Sequence, residues 1–374
     1  MGRKNSASWP TWSPAAACAS LPWQTDTMTR SYRVAIFNDT RRTSHYGCEI
    51  VMETLIANLR QRGIEAVFFW PMGQDWRGRE DVAAALRTVD AVVVNGEGSI
   101  HNSARRDRAH YLTEIAAFAR TTANIPSFLV NSSLFDLEPK IIDNLRHFDA
   151  IYLRESRSLA ALEDSGIEAE IVPDLTLLTP CPTPTDPRTG VLGTDSVKAD
   201  LAARLNRLSS VKGWDYSRLT HAAFPSRAEH GVRESLRRGA KWLHAVLTGR
   251  NTRDRKRFVA WLATHQLLCT GRFHAVTLAL ATHTPFLALA SNTPKISGLL
   301  EDVFGHDRRV VPLSTLETVS DPSVHLFSAT EEAALTDFLE STRTRANTMF
   351  DTIRSRLDCV AQHHALQSPR MDNR

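Results

Sequence analysis

The chain is poor in cysteine and lacks any paired cysteine spacing. Five cysteines occur among 374 residues, an odd number, and no two of them form a C-x-x-C pair. Such a set does not build the disulfide framework of a small secreted domain, and it lacks the usual pattern of a structural zinc site. We therefore expect a cytoplasmic protein without a metal centre.

Long apolar runs and an excess of one charge are also missing. The longest apolar stretches, such as 91–95, have the length of a strand, whereas a bilayer span needs about 20 apolar residues. The net charge is only +4, and the segment 233–257 carries nine basic and two acidic residues, a net of +7. The rest of the chain therefore carries −3, which argues against a nucleic-acid partner bound along an extended basic face.

The first 30 residues show no regular periodicity. They combine tryptophan, proline, alanine and serine, and no apolar core of a signal peptide follows the basic start. Translation from Met1 and translation from Met28, just before the first apolar segment, both remain open. In either case we expect 1–30 to form a disordered leader.

Short apolar segments alternate with segments of helical spacing from residue 31 to about 175. The predicted strands are 34–38, 66–70, 91–95, 126–131, 150–153 and 169–172. The predicted helices between them are 50–60, 81–86, 111–120, 140–145 and 156–164. Continuously apolar strands joined by helices are typical of a parallel sheet covered on both faces.

A proline-rich connector near residues 180–187 separates this half from a less regular one. The second half contains the predicted strands 189–192, 219–224, 266–269 and 285–290, and the predicted helices 197–208, 233–247, 252–263 and 274–281. The sequence thus predicts an α/β protein with two facing Rossmann-like domains, 31–178 and 188–330, a long C-terminal helix 331–358 and a tail 359–374. In such folds ligands bind beyond the carboxyl ends of the strands.

Polar residues or glycines follow five successive strands of the first half. The candidates among them are His45, Gly96, Glu97, Gly98, Ser99, Asn102, Arg154 and Asp174. Glycines at a strand end let the backbone approach a ligand closely, although the third glycine of a dinucleotide fingerprint is absent. Tight turns and helix caps are the alternative explanation for each residue alone.

The second half offers a sharper group of polar residues. Arg272 and His274 follow one predicted strand, and Ser291, Asn292 and Lys295 follow the next. Arginine presents a fork of donors to carboxylate or phosphate, and histidine exchanges a proton near neutral pH. The group therefore predicts a small-anion site with a proton donor. The alternative is that His274 caps its own helix and Lys295 is a solvated loop residue.

Four segments of the chain resemble the polysaccharide pyruvyl transferase family. They are LCTGRFHAVTLALATHTPFLALASNTPKISGLL, IYLRESRSLAALEDSGI, VVVNGEGSIHN and VPDLTLL. Two departures concern the first half: the acid that many members carry in the first loop is absent from His45-Tyr46-Gly47-Cys48, and Glu97 interrupts a run of glycines. Both departures leave the identity of the acceptor open.

The resemblance implies a glycosyltransferase-B-like arrangement and transfer of the pyruvyl group of phosphoenolpyruvate to a sugar as a cyclic ketal, with release of phosphate. It assigns catalysis to His274 and Arg272, and phosphoenolpyruvate binding to Arg154, Arg272, Lys295, Ser291 and Asn292. It assigns acceptor binding, on the side of the first domain, to Gly96, Glu97, Gly98, Ser99, Asn102, His45 and Asp174. The scheme needs no metal or redox cofactor.

Two other functions fit the same fold pattern. One is a nucleotide-sugar-dependent glycosyltransferase, although the second half offers no clear acid for a ribose. The other is a non-catalytic glycan-binding protein. The basic segment 233–257 is either a solvated helical face or a peripheral contact with an anionic membrane or a lipid-linked saccharide.

Overall fold

Two parallel sheets organise the chain in the computed structural model, which describes residues 30–180, 186–221, 232–247 and 255–367. The first sheet contains β1 (Tyr32–Asp39), β2 (Ile64–Pro71), β3 (Ala91–His101), β4 (Ser127–Phe135), β5 (Ala150–Leu153) and β6 (Glu170–Ile171). Its strand order is β2-β1-β3-β4-β5-β6. The second sheet contains β7 (Val191–Ser196), β8 (Asp215–Ser217), β9 (Leu267–Gly271) and β10 (Phe286–Ala288), in the order β10-β9-β7-β8. The predicted α/β class with parallel sheets is confirmed.

Helices connect and cover both sheets. In the first part of the chain they are α1 (Tyr46–Gln61), α2 (Glu80–Leu86), α3 (Asp107–Ala123) and α4 (Pro139–Leu145). In the second part they are α5 (Ala199–Lys212), α6 (Val232–Leu247), α7 (Arg255–Ala263), α8 (Phe273–Ala281), α9 (Lys295–Phe304), α10 (Leu313–Thr318) and α11 (Ala329–Gln367). Among the helices that the structure describes, none combines the length and the apolar character needed to cross a membrane.

The first sheet is longer than the sequence predicts at the edge where ligands should bind. β3 continues to His101 and β4 to Phe135, so residues 96–101, which the sequence predicts to follow the strand, are part of it. Pairing across the sheet overrides the turn-like composition, because Glu97 lies opposite Ser132 and His101 opposite Phe135. This correction changes what the polar residues of β3 can touch.

Two further predictions of local structure are wrong in detail. The segment Ser156–Leu162 forms a 3-10 helix in place of an α-helix. The strand predicted at 219–224 lies earlier, as β8, and residues 222–224 are outside the described part of the chain. The predicted leader 1–30, except Arg30, also lies outside it.

The C-terminal helix α11 joins the two halves. Its first part, including Leu335 and Leu339, packs in the core of the second sheet. Its later part, including Phe350 and Ile353, packs against the face of the first sheet formed by Val34 and its neighbours. The predicted long helix is confirmed, and it continues beyond residue 358 to Gln367. Burial of apolar side chains along both cores thus fixes one half against the other.

The strand ends of the two sheets meet at a crevice. The hydroxyl of Thr176, just after the first sheet, donates to Thr277 of α8 at 2.6 Å. The backbone N–H of Ser156 donates to Asp302 of α9 at 2.9 Å. The turns after β5, β6 and β9 are therefore brought together, although they are far apart along the chain.

Candidate active site

A buried ion pair lies at the centre of the crevice. Arg154, just after β5, donates through Nη1 to Oδ2 of Asp174 at 2.8 Å and through Nε to the hydroxyl of Ser133 at 2.8 Å. Both charged side chains are almost completely buried. The ring of Phe273 lies 4.2 Å from the centre of the guanidinium group. A charge buried this deeply requires a partner, so Asp174 fixes the position of Arg154.

Asp174 also holds His274. Nε2 of His274 lies 3.6 Å from Oδ2 of Asp174, which is an electrostatic contact but too long for a hydrogen bond. Burial alone would raise the pKa of Asp174. The nearby His274 and Arg154 and a hydrogen bond from Thr176 outweigh burial and hold that pKa well below its usual range. The carboxylate therefore stays ionised and orients both basic side chains.

His274 meets a second imidazole from the other half of the molecule. The ring centroids of His45 and His274 are 5.3 Å apart, in an edge-to-face arrangement. Gly47 permits this approach, because a Cβ at its position would lie 2.3 Å from Cβ of His274. Burial first, and then the neighbouring basic groups of His274 and Arg272, lower the pKa of His45 well below its ordinary value. His45 is therefore neutral at physiological pH.

One nitrogen of each imidazole is left open. Nδ1 of His45 and Nε2 of His274 are buried and have no hydrogen-bond partner among the described residues. Buried polar atoms in native proteins are almost always paired. Nε2 of His274 faces Asp174 at 3.6 Å, so Nδ1 of His45 is the nitrogen of this pair that is left without a facing polar group.

Lys295 and Arg154 converge on the backbone of Gly98. A Cβ at Gly98 would lie 3.3 Å from Nζ of Lys295 and 3.5 Å from Nη2 of Arg154. Burial, followed by repulsion from Arg154 and Arg106, lowers the pKa of Lys295 to about 7. An anion placed between the two cations would relieve this repulsion. The predicted small-anion character of Arg154 and Lys295 thus has a geometric basis.

Arg272 lies in a separate contact. Its Nη2 donates to Oδ2 of Asp195 at 2.5 Å, and Asp195 also accepts the backbone N–H of Leu219. Nε of Arg272 is buried without a partner in the described part of the chain. The side chain is partly exposed. Nε of Arg272 is therefore available as a hydrogen-bond donor next to the first turn of α8. The guanidinium group is also already paired with the carboxylate of Asp195.

Most residues predicted to contact an acceptor are bound into the first sheet. The buried carboxylate of Glu97 accepts from Thr40 at 2.7 Å, from Asn95 at 2.9 Å and from the thiol of Cys48 at 3.1 Å. Asp174, predicted for the same role, is completely buried. We therefore assign both carboxylates to holding neighbouring side chains in place.

The other residues of β3 and its end behave similarly. Gly96 packs on Ser132, and the buried Ser99 accepts a hydrogen bond from Asn38. Asn102 has a left-handed φ of 48° and donates to Asp136 at 2.9 Å. Of the predicted glycines, Gly98 is the one whose backbone faces the two cations.

Ser291 and Asn292 form the rim next to Lys295. The hydroxyl of Ser291 donates to Oδ1 of Asn292 at 3.1 Å, and Nζ of Lys295 reaches the same oxygen at 3.4 Å. The side chain of Asn292 is exposed. These two residues are therefore accessible to a ligand that enters from solvent.

Three residues of the site are of the type that binds metals. The ligand atoms of His45, Cys48 and His274 all lie within 4.8 Å of one another. Burial, and then the adjacent carboxylate of Glu97, raise the pKa of the Cys48 thiol. A soft divalent cation suits such a set, but binding would have to displace the thiol proton of Cys48 next to the buried carboxylate of Glu97. The absence of a metal centre stays a prediction.

Sequence reasoning missed several members of the site. Asp195 is the next-to-last residue of β7, so the rule that ligands bind at strand ends could have found it. Phe273 and Cys48 lie beside chosen residues, but their contacts cross between chain segments and leave no local signal. Burial lowers the pKa of His101 to about 4, and His101 lines a narrow cavity together with Gly98 and Lys295.

Comparison of the sequence with models of known protein families finds a match to one family. The family model described as polysaccharide pyruvyl transferase matches residues 45–293. This range contains His45, Arg154, Asp174 and His274 and ends just before Lys295. A search of curated proteins returned no match.

Solved structures resemble the chain only distantly. An uncharacterized protein from Klebsiella pneumoniae is 11% identical with a TM-score of 0.46, covering 75% of this chain and 92% of its own. A putative UDP-N-acetylglucosamine 2-epimerase from Listeria monocytogenes is 12% identical with a TM-score of 0.46, covering 79% and 90%. A UDP-glucosyltransferase from Polygonum tinctorium is 9% identical with a TM-score of 0.47, covering 89% and 100%.

Proposed function

Because the chain belongs to the polysaccharide pyruvyl transferase family, we propose that it transfers the pyruvyl group of phosphoenolpyruvate to a sugar of a polysaccharide or its precursor. The product is a cyclic ketal across two hydroxyls, and phosphate is released. The observation that carries the proposal is the convergence of Arg154 and Lys295 on Gly98, beside a histidine with an open nitrogen.

The donor has two anionic groups, and the crevice offers donors for both. Nη2 of Arg154 and Nζ of Lys295 bind one group at Gly98. The backbone N–H groups at the start of α8 and the guanidinium of Arg272 bind the other, since a helix N-terminus attracts anions. Ser291 and Asn292 border the Lys295 side. Phosphoenolpyruvate is thus held across the junction of the two sheets.

The transfer balances without a redox cofactor. A proton adds to the methylene carbon of phosphoenolpyruvate while one sugar hydroxyl oxygen adds to the neighbouring carbon. The bond from that carbon to the phosphate oxygen then breaks, and a second sugar hydroxyl closes the ring. The two sugar hydroxyls lose two protons. One returns to the group of the protein that protonated the methylene carbon, and the other leaves with phosphate.

His274 is the proposed proton donor. Asp174 orients its ring at 3.6 Å, and an oriented imidazole acts as general acid or base near neutral pH. The neutral His45 next to it can accept a hydrogen bond from an incoming hydroxyl. In this scheme Asp174 is a positioning residue, because it touches Arg154 and His274 and not the reacting atoms.

A nucleotide-sugar-dependent glycosyltransferase is the alternative function. An assay that supplies either phosphoenolpyruvate or UDP-glucose with the same saccharides distinguishes the two functions. Phosphate release that requires both phosphoenolpyruvate and a saccharide supports pyruvyl transfer. Transfer of glucose from UDP-glucose would replace it with the alternative.

We also propose that α6 makes peripheral contact with an anionic membrane or a lipid-linked acceptor. Leu236, Leu243 and Leu247 are 71%, 51% and 76% exposed, and their spacing of seven and four residues places them on one helix face. Arg237 is exposed beside them. We expect co-sedimentation with anionic vesicles at low salt that is lost at high salt; no sedimentation at low salt would contradict the contact.

A further inference from the structure

A cavity of about 800 Å³ lies in the second half of the molecule, apart from the donor crevice. α5 and α7 form two of its walls, and the end of β8 forms a third. None of the residues that we assigned to donor or acceptor from the sequence lines it. Its volume is that of pockets that bind small molecules or a few sugar units.

The cavity lies next to the reacting groups. Tyr46, which lines it, directly follows His45 and stacks on Phe258 with a centroid distance of 4.6 Å. On another wall, β8 pairs with β7 so that Tyr216 lies opposite Gly193, two residues before Asp195. Asp195 is the partner of Arg272. Tyr46 therefore connects one wall of the cavity to the imidazole pair through the chain, and the pairing of β8 with β7 places another wall one strand away from the Arg272 contact.

The walls combine aromatic faces with polar groups. Trp214 and Trp261 are partly exposed and line the cavity. The apolar C–H faces of sugar rings pack on such indole rings, and sugar hydroxyls need hydrogen-bond partners. The ring of Tyr216 lies on the same wall as Trp214.

Two arginines give the cavity a preference for negative charge. Arg207 of α5 and Arg257 of α7 both line it and both are exposed, against one lining carboxylate, Asp215. Arginine binds carboxylate and phosphate through paired donors. A saccharide that carries such a group would satisfy the aromatic walls and the charge together.

We propose that this cavity binds the acceptor saccharide, and that this saccharide carries a carboxylate or phosphate close to the sugar that receives the pyruvyl group. The inference rests on the proposed function and locates the acceptor in the second half of the chain. The sequence had assigned the acceptor to the first half, whose polar side chains are instead held within the sheet.

Calorimetric titration of the full chain tests the proposal with three probes. Tetragalacturonate supplies carboxylates, N-acetylglucosamine 1-phosphate supplies a phosphate, and maltotetraose supplies neither. We expect one of the two anionic probes to bind at least tenfold more tightly than maltotetraose. The probe that binds more tightly shows whether the cavity recognises a carboxylate or a phosphate. Absence of binding by both anionic probes, or equal binding of maltotetraose, overturns the proposal.

Variants on α5 provide a matched pair. Arg207→Gln should weaken binding of the anionic probe about tenfold, because the neutral amide of glutamine cannot form the paired, charge-assisted hydrogen bonds of a guanidinium group. Arg204→Gln, one turn earlier on the same helix, removes a surface pair with Glu317 and should leave affinity unchanged. Equal affinity of Arg207→Gln and the parent protein would contradict the assignment.

A second substitution blocks the space itself. Ser210 is exposed on α5 and lines the cavity, so Ser210→Trp should abolish probe binding without disturbing the core. Phosphoenolpyruvate is titrated in parallel. If the parent protein binds phosphoenolpyruvate but none of the anionic saccharides, this inference alone is contradicted. If the parent protein does not bind phosphoenolpyruvate, the proposed function is contradicted.

Discussion

The His274→Ala variant is expected to release phosphate from phosphoenolpyruvate about 10² to 10⁴ times more slowly than the parent protein, in the presence of a saccharide acceptor. General acid–base catalysis contributes a factor of this size. Binding of phosphoenolpyruvate should remain measurable, because the proposed anion contacts come from Arg154, Lys295 and Arg272. Single-turnover phosphate release and calorimetry measure the two quantities separately.

A second histidine next to the same helix serves as the control. His283 follows the C-terminal end of α8, is partly exposed and contacts Glu332 at 3.0 Å. His283→Ala should keep the parent rate. If His274→Ala also keeps it, His274 is not the proton donor. If His274→Ala loses phosphoenolpyruvate binding as well as rate, the imidazole is instead a donor ligand.

The affinity for phosphoenolpyruvate should fall about 50-fold between pH 7 and pH 9. Burial, Arg154 and Arg106 lower the pKa of Lys295 to about 7, so the free protein loses this cation as the pH rises through 7. When only the protonated lysine binds the anion, each further pH unit costs about a factor of ten. We assign this change in affinity to Lys295.

Substitution of Lys295 identifies the titrating group. Lys295→Met should bind phosphoenolpyruvate weakly and with little change between pH 7 and pH 9. Lys140→Met changes an exposed lysine on α4 that pairs with Glu114, and it should keep the full pH dependence. A pH dependence that persists in Lys295→Met would assign the titration to another group and remove Lys295 from the donor site.

The sequence predicts the elements with continuous apolar runs well. β1, β5 and α8 appear where their buried residues indicate, because hydrophobic burial decides them locally. The predicted end of β3 was wrong because local sequence does not decide it. Glycine and polar residues at 96–99 have low strand propensity, and only pairing with β4 keeps them extended.

The candidate site likewise contains residues that the sequence predicts and contacts that it does not. Arg154, His274 and Lys295 could be chosen because each follows a strand, and strand ends meet at one edge of a parallel sheet. Asp174 and Glu97 were chosen in the same manner, but for acceptor binding, and their actual role as partners of buried side chains could not be predicted. Asp174 lies 100 residues from His274 along the chain, and its role depends on complete burial between two basic groups. The same holds for Cys48 and Glu97.

The most direct test of pyruvyl transfer is the mass of the product. The full chain is incubated with phosphoenolpyruvate and saccharide acceptors of defined structure, and the saccharides are then analysed by mass spectrometry beside a phosphate assay. We predict a saccharide heavier by one ketal-linked pyruvyl group, formed in equal amount to the phosphate released and formed about 10² to 10⁴ times more slowly by the His274→Ala variant. Phosphate release without a modified saccharide, or transfer of glucose from UDP-glucose in place of the pyruvyl group, would contradict the proposal.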